Sequence, residues 1–279
     1  MTTTIPAVPA PSPLAELVPK GTAGYATTIA EVFGRAIRQL ARSPQVLGIA
    51  VVQSVLFLLM FRYVIGGAIA VEGVSYVDFL VPGFVVSGIV FTAGGSAVAV
   101  AEDAAGGVYD RFRSLPIPDL GVLTGRVLAD TALMSFVGFV TLAVGFAVGF
   151  RPDASAADLL LAAVLLPLFS FATAWIFLVI GLAAGNAQAA QGLGIIGVPF
   201  SFLSSAFVPV DSMPAVLEAF ALNQPLSLMV DAARGLLLGD AVVATLDHEL
   251  SYYIVGSLLW SVVLVVVFAT LALRRYRRS

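Results

Sequence analysis

Apolar residues run through this chain in stretches of about twenty, separated by short polar segments, and that spacing predicts helices long enough to cross a bilayer. A helix rises about 1.5 Å per residue and the hydrocarbon core is about 30 Å thick, so one crossing needs roughly 20 residues almost free of charge. Such stretches fall at 45–65, 79–101, 121–150 and 250–273. Between Asp158 and Asp211 a further 52 residues carry no charge, about 78 Å as a single helix, which suits two crossings. The polar, glycine-flanked Gly185–Gly192 supplies the break, placing spans at 159–185 and 192–210. The fold class predicted is an all-α integral membrane protein with six transmembrane helices.

Three segments between these stretches have a different pattern. From Tyr25 to Arg42 the apolar Ile29, Val32, Phe33, Ala36, Ile37 and Leu40 recur at helical spacing, while Glu31, Arg35, Arg38 and Arg42 fall on another face. This predicts an amphipathic helix over 25–43 that lies along the headgroups; a helix packed on a soluble domain has no such domain to use. After span two, the charged loop 102–118 brings Val108, Phe112 and Leu115 onto one helical face, with Asp110, Arg111 and Arg113 elsewhere and Pro116 and Pro118 ending the turn. Such a segment suits docking into another protein's groove, and equally an ordinary basic loop that sets topology. After span five, 211–240 is too apolar for a simple loop. Asp211 or Ser212 can cap a helix that starts near Pro214 and buries Val216, Leu217 and Phe220; Asn223-Gln224-Pro225 breaks it, and a second helix carries Leu226, Met229, Val230, Ala233 and Leu237 to Gly239. Neither piece is long enough to span, so the pair reads as a re-entrant helical hairpin in the outer leaflet, with Asp231 and Arg234 three apart and able to neutralise each other.

Composition supports a lipid solvent: 59% of the residues are apolar and 11% charged, against about a quarter charged in a soluble domain. The net charge of −3 describes two aqueous faces together and points to no nucleic-acid partner. Basic residues gather on the cytoplasmic side of short loops. With both ends inside, eleven of the 14 Lys and Arg residues are cytoplasmic, among them the tail 274–279, and Arg62, Arg151 and Arg234 are not. The proline-rich 1–24 has no basic stretch followed by an apolar one, which predicts a disordered cytoplasmic tail rather than a cleaved leader. No Cys and one His, His248, remove disulfides, thiolate nucleophiles and most zinc or haem sites from consideration. No G-x-x-x-x-G-K-[ST] loop occurs, so the chain has no recognisable means of holding ATP phosphates.

The six spans, together with Arg111-Phe112-Arg113-Ser114-Leu115-Pro116-Ile117-Pro118, Gly125-Arg126-Val127-Leu128-Ala129-Asp130 and Ser204-Ser205-Ala206-Phe207-Val208-Pro209-Val210-Asp211-Ser212-Met213-Pro214, resemble the membrane subunit of a type-2 ABC exporter, similar to the bacterial daunorubicin-resistance permeases. Asp119 departs from that pattern, where a small or basic residue is more usual, and bears on the local charge of the docking surface. The resemblance covers about Arg35 to the C-terminus. It implies a bacterial plasma-membrane permease that pairs with a second permease chain, as homodimer or heterodimer, on two cytoplasmic ATP-hydrolysing subunits. ATP and Mg would then sit in those partners and no cofactor in this chain. It makes the loop after span two the coupling helix, with Glu102, Asp103, Tyr109, Asp110, Arg111, Phe112, Arg113, Ser114, Leu115 and Pro116 as coupling residues, and the amphipathic helix a second ATPase contact. It also places the pathway near spans one, two and five, with Gln53, Phe57, Met60, Phe91, Phe200 and Ser204 as candidate lining residues; so apolar a wall favours an amphiphilic drug, antibiotic or lipid over a small ion.

Two other classes fit less well. A proton-coupled multidrug transporter needs ionisable groups near the midplane, and only Asp130 qualifies, one turn from Arg126 and poised for an i, i+4 ion pair. An intramembrane enzyme needs a metal site, a Ser with His, or an Asp pair, and none is complete. Gly94-Gly95-Ser96 reads as a close helix-packing site rather than a nucleophile turn.

Overall fold

The computed structural model describes residues 24–66, 75–208, 210, 213–239, 243 and 246–278. The expected tail and Asp211 lie outside them. The described residues form helices without strands. Among the described residues, five helices are long and apolar enough to cross a membrane: α2, which spans Pro44–Met60 and continues as a π-turn over Phe61–Ile65; α3, Tyr76–Ala105; α5, Asp119–Ala147; α6, Ala156–Ala184; and α11, Leu250–Arg278. They are joined by α1 (Tyr25–Ala41), α4 (Val108–Arg113), α7 (Ala187–Gly194), α8 (Gly197–Phe202), α9 (Ala215–Asn223) and α10 (Pro225–Leu238).

Helix α3 is the axis, packed by α5, α6, α7 and α10. In their most apolar windows 67% of the residues of α3 are buried, against 17% for α2 and 6% for α11. The outer two therefore present their apolar surface to lipid or to another chain. At the end carrying α10, Ser75 and Ser155 cap α3 and α6 in the same way. Each hydroxyl accepts from the backbone N–H three residues on and donates to that Asp carboxylate, over 3.2 and 2.6 Å in both cases. The S-x-x-D spacing of both caps is legible in the sequence. At the opposite end α6 stops on Gly185, whose φ of +75° a side chain would resist, and Asn186 caps α7 by accepting from the N–H of Ala189.

The helical span expected at 192–210 is instead broken into α7 and α8, neither long enough to cross alone. Gly192, Gly194, Gly197 and Pro199 weaken the helix, and Gly194 lies against Gly94 while Gly197 lies against Val90. Because Ala206 then meets Gly83, the segment climbs antiparallel to α3 with its backbone almost touching it. In α9 the expected burial of Val216, Leu217 and Phe220 is reversed. They are 82%, 39% and 44% exposed, and only Ala221 is buried, because α9 packs mainly on α10 along one narrow edge. Every residue of α10 from Leu226 to Leu238 is buried, wider than the single apolar face expected.

Candidate functional site

Helix α4 is a short, fixed corner. Helix α3 runs past the expected loop start to Ala105, the chain turns on Gly107 at φ +69°, and six residues of helix follow before Pro116 and Pro118. Tyr109 is the inward anchor: its ring stands edge-on to Tyr276 of α11, centroids 5.8 Å apart. Its hydroxyl is buried without a partner among the described residues, and burial holds the phenol well above its usual pKa. Arg113 pairs with Asp110, donates to the Tyr276 carbonyl over 3.0 Å and lies over the Tyr276 ring. Asp110, Arg111, Ser114, Leu115 and Pro116 are exposed. Asp119 accepts from Arg277 at 2.8 Å, so its charge is paired with α11.

Behind α4 an ion cluster joins α1, α3 and α5. Arg126 donates from Nε to Asp130 at 3.0 Å and from Nη1 to Asp103 at 2.7 Å, and Arg35 of α1 stands 4.0 Å from the other Asp103 oxygen and 5.5 Å from the centroid of the Phe112 ring. The i, i+4 pair of Arg126 and Asp130 is as the sequence predicts. Asp103, one of the candidate coupling residues, is largely buried and paired with Arg126. Helix α1 sits on α5 through Thr28 and Val32, both buried, and a side chain on Gly125 would come within 2.9 Å of the Ile29 carbonyl and of Val32. Glu31, Arg35 and Arg38 line a groove of about 340 Å³ between α1 and Phe112, Leu115 and Ile117; Arg42 caps the end of α1. Helix α1 and the corner thus form one surface.

Between α1, α2, α3 and α5 lies a cavity of about 380 Å³. Of the residues expected along a pathway, Gln53 and Phe91 line it, and Phe57 packs on Phe91 with centroids 6.0 Å apart. Met60 and Phe200 face outward, 38% and 39% exposed, with Phe200 edge-on to Phe220. Ser204 is fully buried, and its hydroxyl and its backbone N–H both donate to the Ser201 carbonyl at the end of α8. Beyond Phe91 the rings of Phe61, Phe84, Phe202 and Phe207 fill the gap between α2, α3 and α8. The Gly94-Gly95-Ser96 motif divides: Gly94 meets Gly194 as a packing site, whereas Gly95 and Ser96 face the cavity.

At the opposite end, Arg234 does more than neutralise Asp231. It donates to Asp231 at 3.0 Å and to the carbonyls of Phe79, Ser205 and Ala206 at 3.1, 2.7 and 3.1 Å, and lies 3.7 Å from the Phe79 ring centroid. Ser205 donates back to Asp231, and Gln224 donates to the Leu203 carbonyl over 2.6 Å. The carbonyls orphaned by the irregular 203–207 turn are thereby satisfied from α10, a role that D-x-x-R spacing alone could not reveal. Pro214 precedes α9 without a side-chain cap.

Residues 27–238 match the family model described as ABC-2 type transporter. The chain is 32% identical over 231 residues to the daunorubicin resistance ABC transporter permease protein DrrB1 of Streptomyces coeruleorubidus, covering 82% of this chain and 78% of that protein. It is 24% identical over 235 residues to the probable doxorubicin resistance ABC transporter permease protein DrrC of Mycobacterium tuberculosis, covering 82% and 81%. With its five long apolar helices, the chain belongs to the ABC-2 type transporter family, as a multi-pass membrane subunit of an ABC transporter rather than a catalytic enzyme.

Proposed function

We propose that this chain is the membrane half of an ATP-driven exporter that moves a hydrophobic or amphiphilic compound, such as a drug, antibiotic or lipid, out of the cell. The α1/α4 end faces the cytoplasm with both termini, and the chain crosses six times, the fifth crossing being the broken α7–α8 segment. Two such chains, identical or different, stand on two cytoplasmic ATPase subunits that hold ATP and Mg. One observation carries the reading: α4 is too firmly held to be a topology loop. A push on its exposed face, Asp110, Arg111, Ser114, Leu115 and Pro116, passes through Tyr109 to α11, and along the α3 backbone to Asp103, Arg126 and α5. Rigid helices would convert that displacement into opening of the permease pair toward the outside. The groove beside Arg35 and Arg38 gives the ATPase a second hold. Asp130, already engaged by Arg126, is poorly placed to relay protons, which favours this reading over proton coupling.

The test is reconstitution with the ATPase subunit in inverted vesicles. Uptake of an amphiphilic dye should require hydrolysable ATP and should be lost in Leu115→Asp. Uptake driven by an imposed proton gradient with ATP absent would refute it.

A further inference from the structure

We infer that the groove between α1 and the α4 corner receives the chain's own N-terminal segment, Leu14–Lys20, which must leave before the ATPase can seat there. The docking stands by itself; that it withholds this surface from the ATPase rests on the transport reading above. The groove, about 340 Å³, is lined on its apolar side by Val32, Phe112, Leu115 and Ile117, and Leu115 is 51% exposed. Along its α1 side stand Glu31, Arg35 and Arg38, all exposed. Among the described residues Glu31 and Arg38 enter no ion pair, and Arg35 meets Asp103 only at 4.0 Å. Apolar surface and unpaired charge of both signs are thus offered together.

Position, reach and charge choose the occupant. Gly24 precedes α1 and its carbonyl accepts from the Thr28 hydroxyl over 3.1 Å, and Thr27 and Thr28 already line the groove, so residues 1–23 join the fold at one end of it. Glu16 is eight residues before Gly24, up to about 26 Å of chain, and Arg38 lies about 21 Å along α1. The segment can reach the far end. Its charged side chains are Glu16 and Lys20, the only two in residues 1–23. Running back along α1 from Gly24, Lys20 comes first and meets Glu31, and Glu16 comes second and meets Arg35 and Arg38. Four residues separate Lys20 from Glu16, about 6 Å as helix or 13 Å extended, against about 6 and 10 Å from Glu31 to Arg35 and Arg38. Opposite charges therefore stay in register in either conformation. Leu14, Leu17 and Val18 flank Glu16 and supply the apolar filling for Phe112, Leu115 and Ile117. A tether this short holds the segment at an effective concentration of about millimolar or more, so weak contacts suffice.

The experiment is disulfide formation in the full chain, which has no cysteine of its own, in phosphatidylcholine nanodiscs. Ala15→Cys with Arg38→Cys should cross-link within one chain faster than Ala15→Cys with Thr27→Cys, although Thr27 is nearer the point of attachment; Arg35 remains to hold Glu16. Adding Lys20→Glu to the first pair should slow it about fivefold, the scale of a solvated ion pair made repulsive, and adding Glu31→Lys as well should restore it. The altered α1 positions are exposed, so the fold is kept. Equal rates for the two pairs, or no response to Lys20→Glu, would overturn the docking. A disulfide joining two chains would give the groove to a neighbouring copy's tail and overturn it too. Excess ATPase subunit should suppress the disulfide, and one that forms undiminished with the ATPase bound would overturn the displacement. Because the cross-linking rates are read without ATP or ATPase, failure there is distinct from failure of the transport reading, which shows as absent ATP-dependent uptake by the reconstituted complex.

Discussion

Arg234→Met removes the clamp at the α10 end and should be among the most damaging single changes in the chain. The methionine keeps most of the apolar stem, so what is lost is charge and hydrogen bonding. Asp231, 7% exposed, keeps the Ser205 hydroxyl but loses its cation, and removing one partner of a buried pair costs about 3–5 kcal/mol. The carbonyls of Phe79, Ser205 and Ala206 lose their donor at the same time, each worth about 1 kcal/mol if the turn cannot relax. Relaxation of the 203–207 turn and protonation of Asp231 offset part of this, and about 4 kcal/mol is expected overall. Trp175, 2% exposed in α6, reports unfolding of the detergent-solubilised chain by fluorescence. At about 2–4 °C per kcal/mol the midpoint should fall by about 8–16 °C. Adding Asp231→Asn should restore roughly half by removing the stranded charge, while Arg234→Lys alone should recover little, since an ammonium cannot reach three carbonyls and a carboxylate as the planar fork does. A fall below about 2 °C, or no recovery in the double variant, would refute the reasoning.

The other predictions concern the opposite end. Gly125→Val should unseat α1 at a cost of about 1–3 kcal/mol, because its Cβ meets the Ile29 carbonyl and Val32 at 2.9 Å; slower protease cleavage between α1 and α2 than in wild type would contradict it. Leu115→Asp, 51% exposed, should leave stability within about 0.5 kcal/mol while abolishing ATP-dependent transport, so an unchanged transport rate counts against α4 as the docking corner. Tyr109→Phe should be neutral or stabilising by up to about 1 kcal/mol, since the deleted hydroxyl is buried and unpartnered. The raised phenol pKa means the folded chain holds that proton longer than the unfolded one. Stability is therefore unaffected by this group below about pH 10 and falls as pH rises above it, because the unfolded chain releases the proton first, and Tyr109→Phe should flatten that alkaline loss in midpoint-versus-pH curves.

Much of the architecture was legible because its cause is local. Charge-free length specifies α2, α3, α5, α6 and α11, since a helix that satisfies its own backbone is the chain's answer to lipid wherever charges are missing for twenty residues. Helical spacing exposed α1, and four-residue spacing exposed Arg126 with Asp130. The broken α7–α8 segment was not legible as broken, because hydropathy counts Gly192 to Pro199 as apolar while ignoring how closely those glycines admit α3. The same limit misplaced Ser204, whose hydroxyl is used by the turn it belongs to, and the apolar residues of α9, whose exposed face has no neighbour within the chain.

By itself, then, the sequence determined that the chain lives in a bilayer, which stretches form its five long helices, and which charged loop stands apart from them. These depend on composition and on periodicity within one helix. Tertiary structure alone decided which side chains share a space: Tyr109 against Tyr276, Asp103 with Arg126, Arg234 across three carbonyls, and Gln53, Ser96 and Asp130 around one cavity. Each of these is a meeting between helices far apart in the chain. Its outcome turns on rotation and crossing distance, quantities that small residues such as Gly125 and Gly194 set only once a partner helix has arrived.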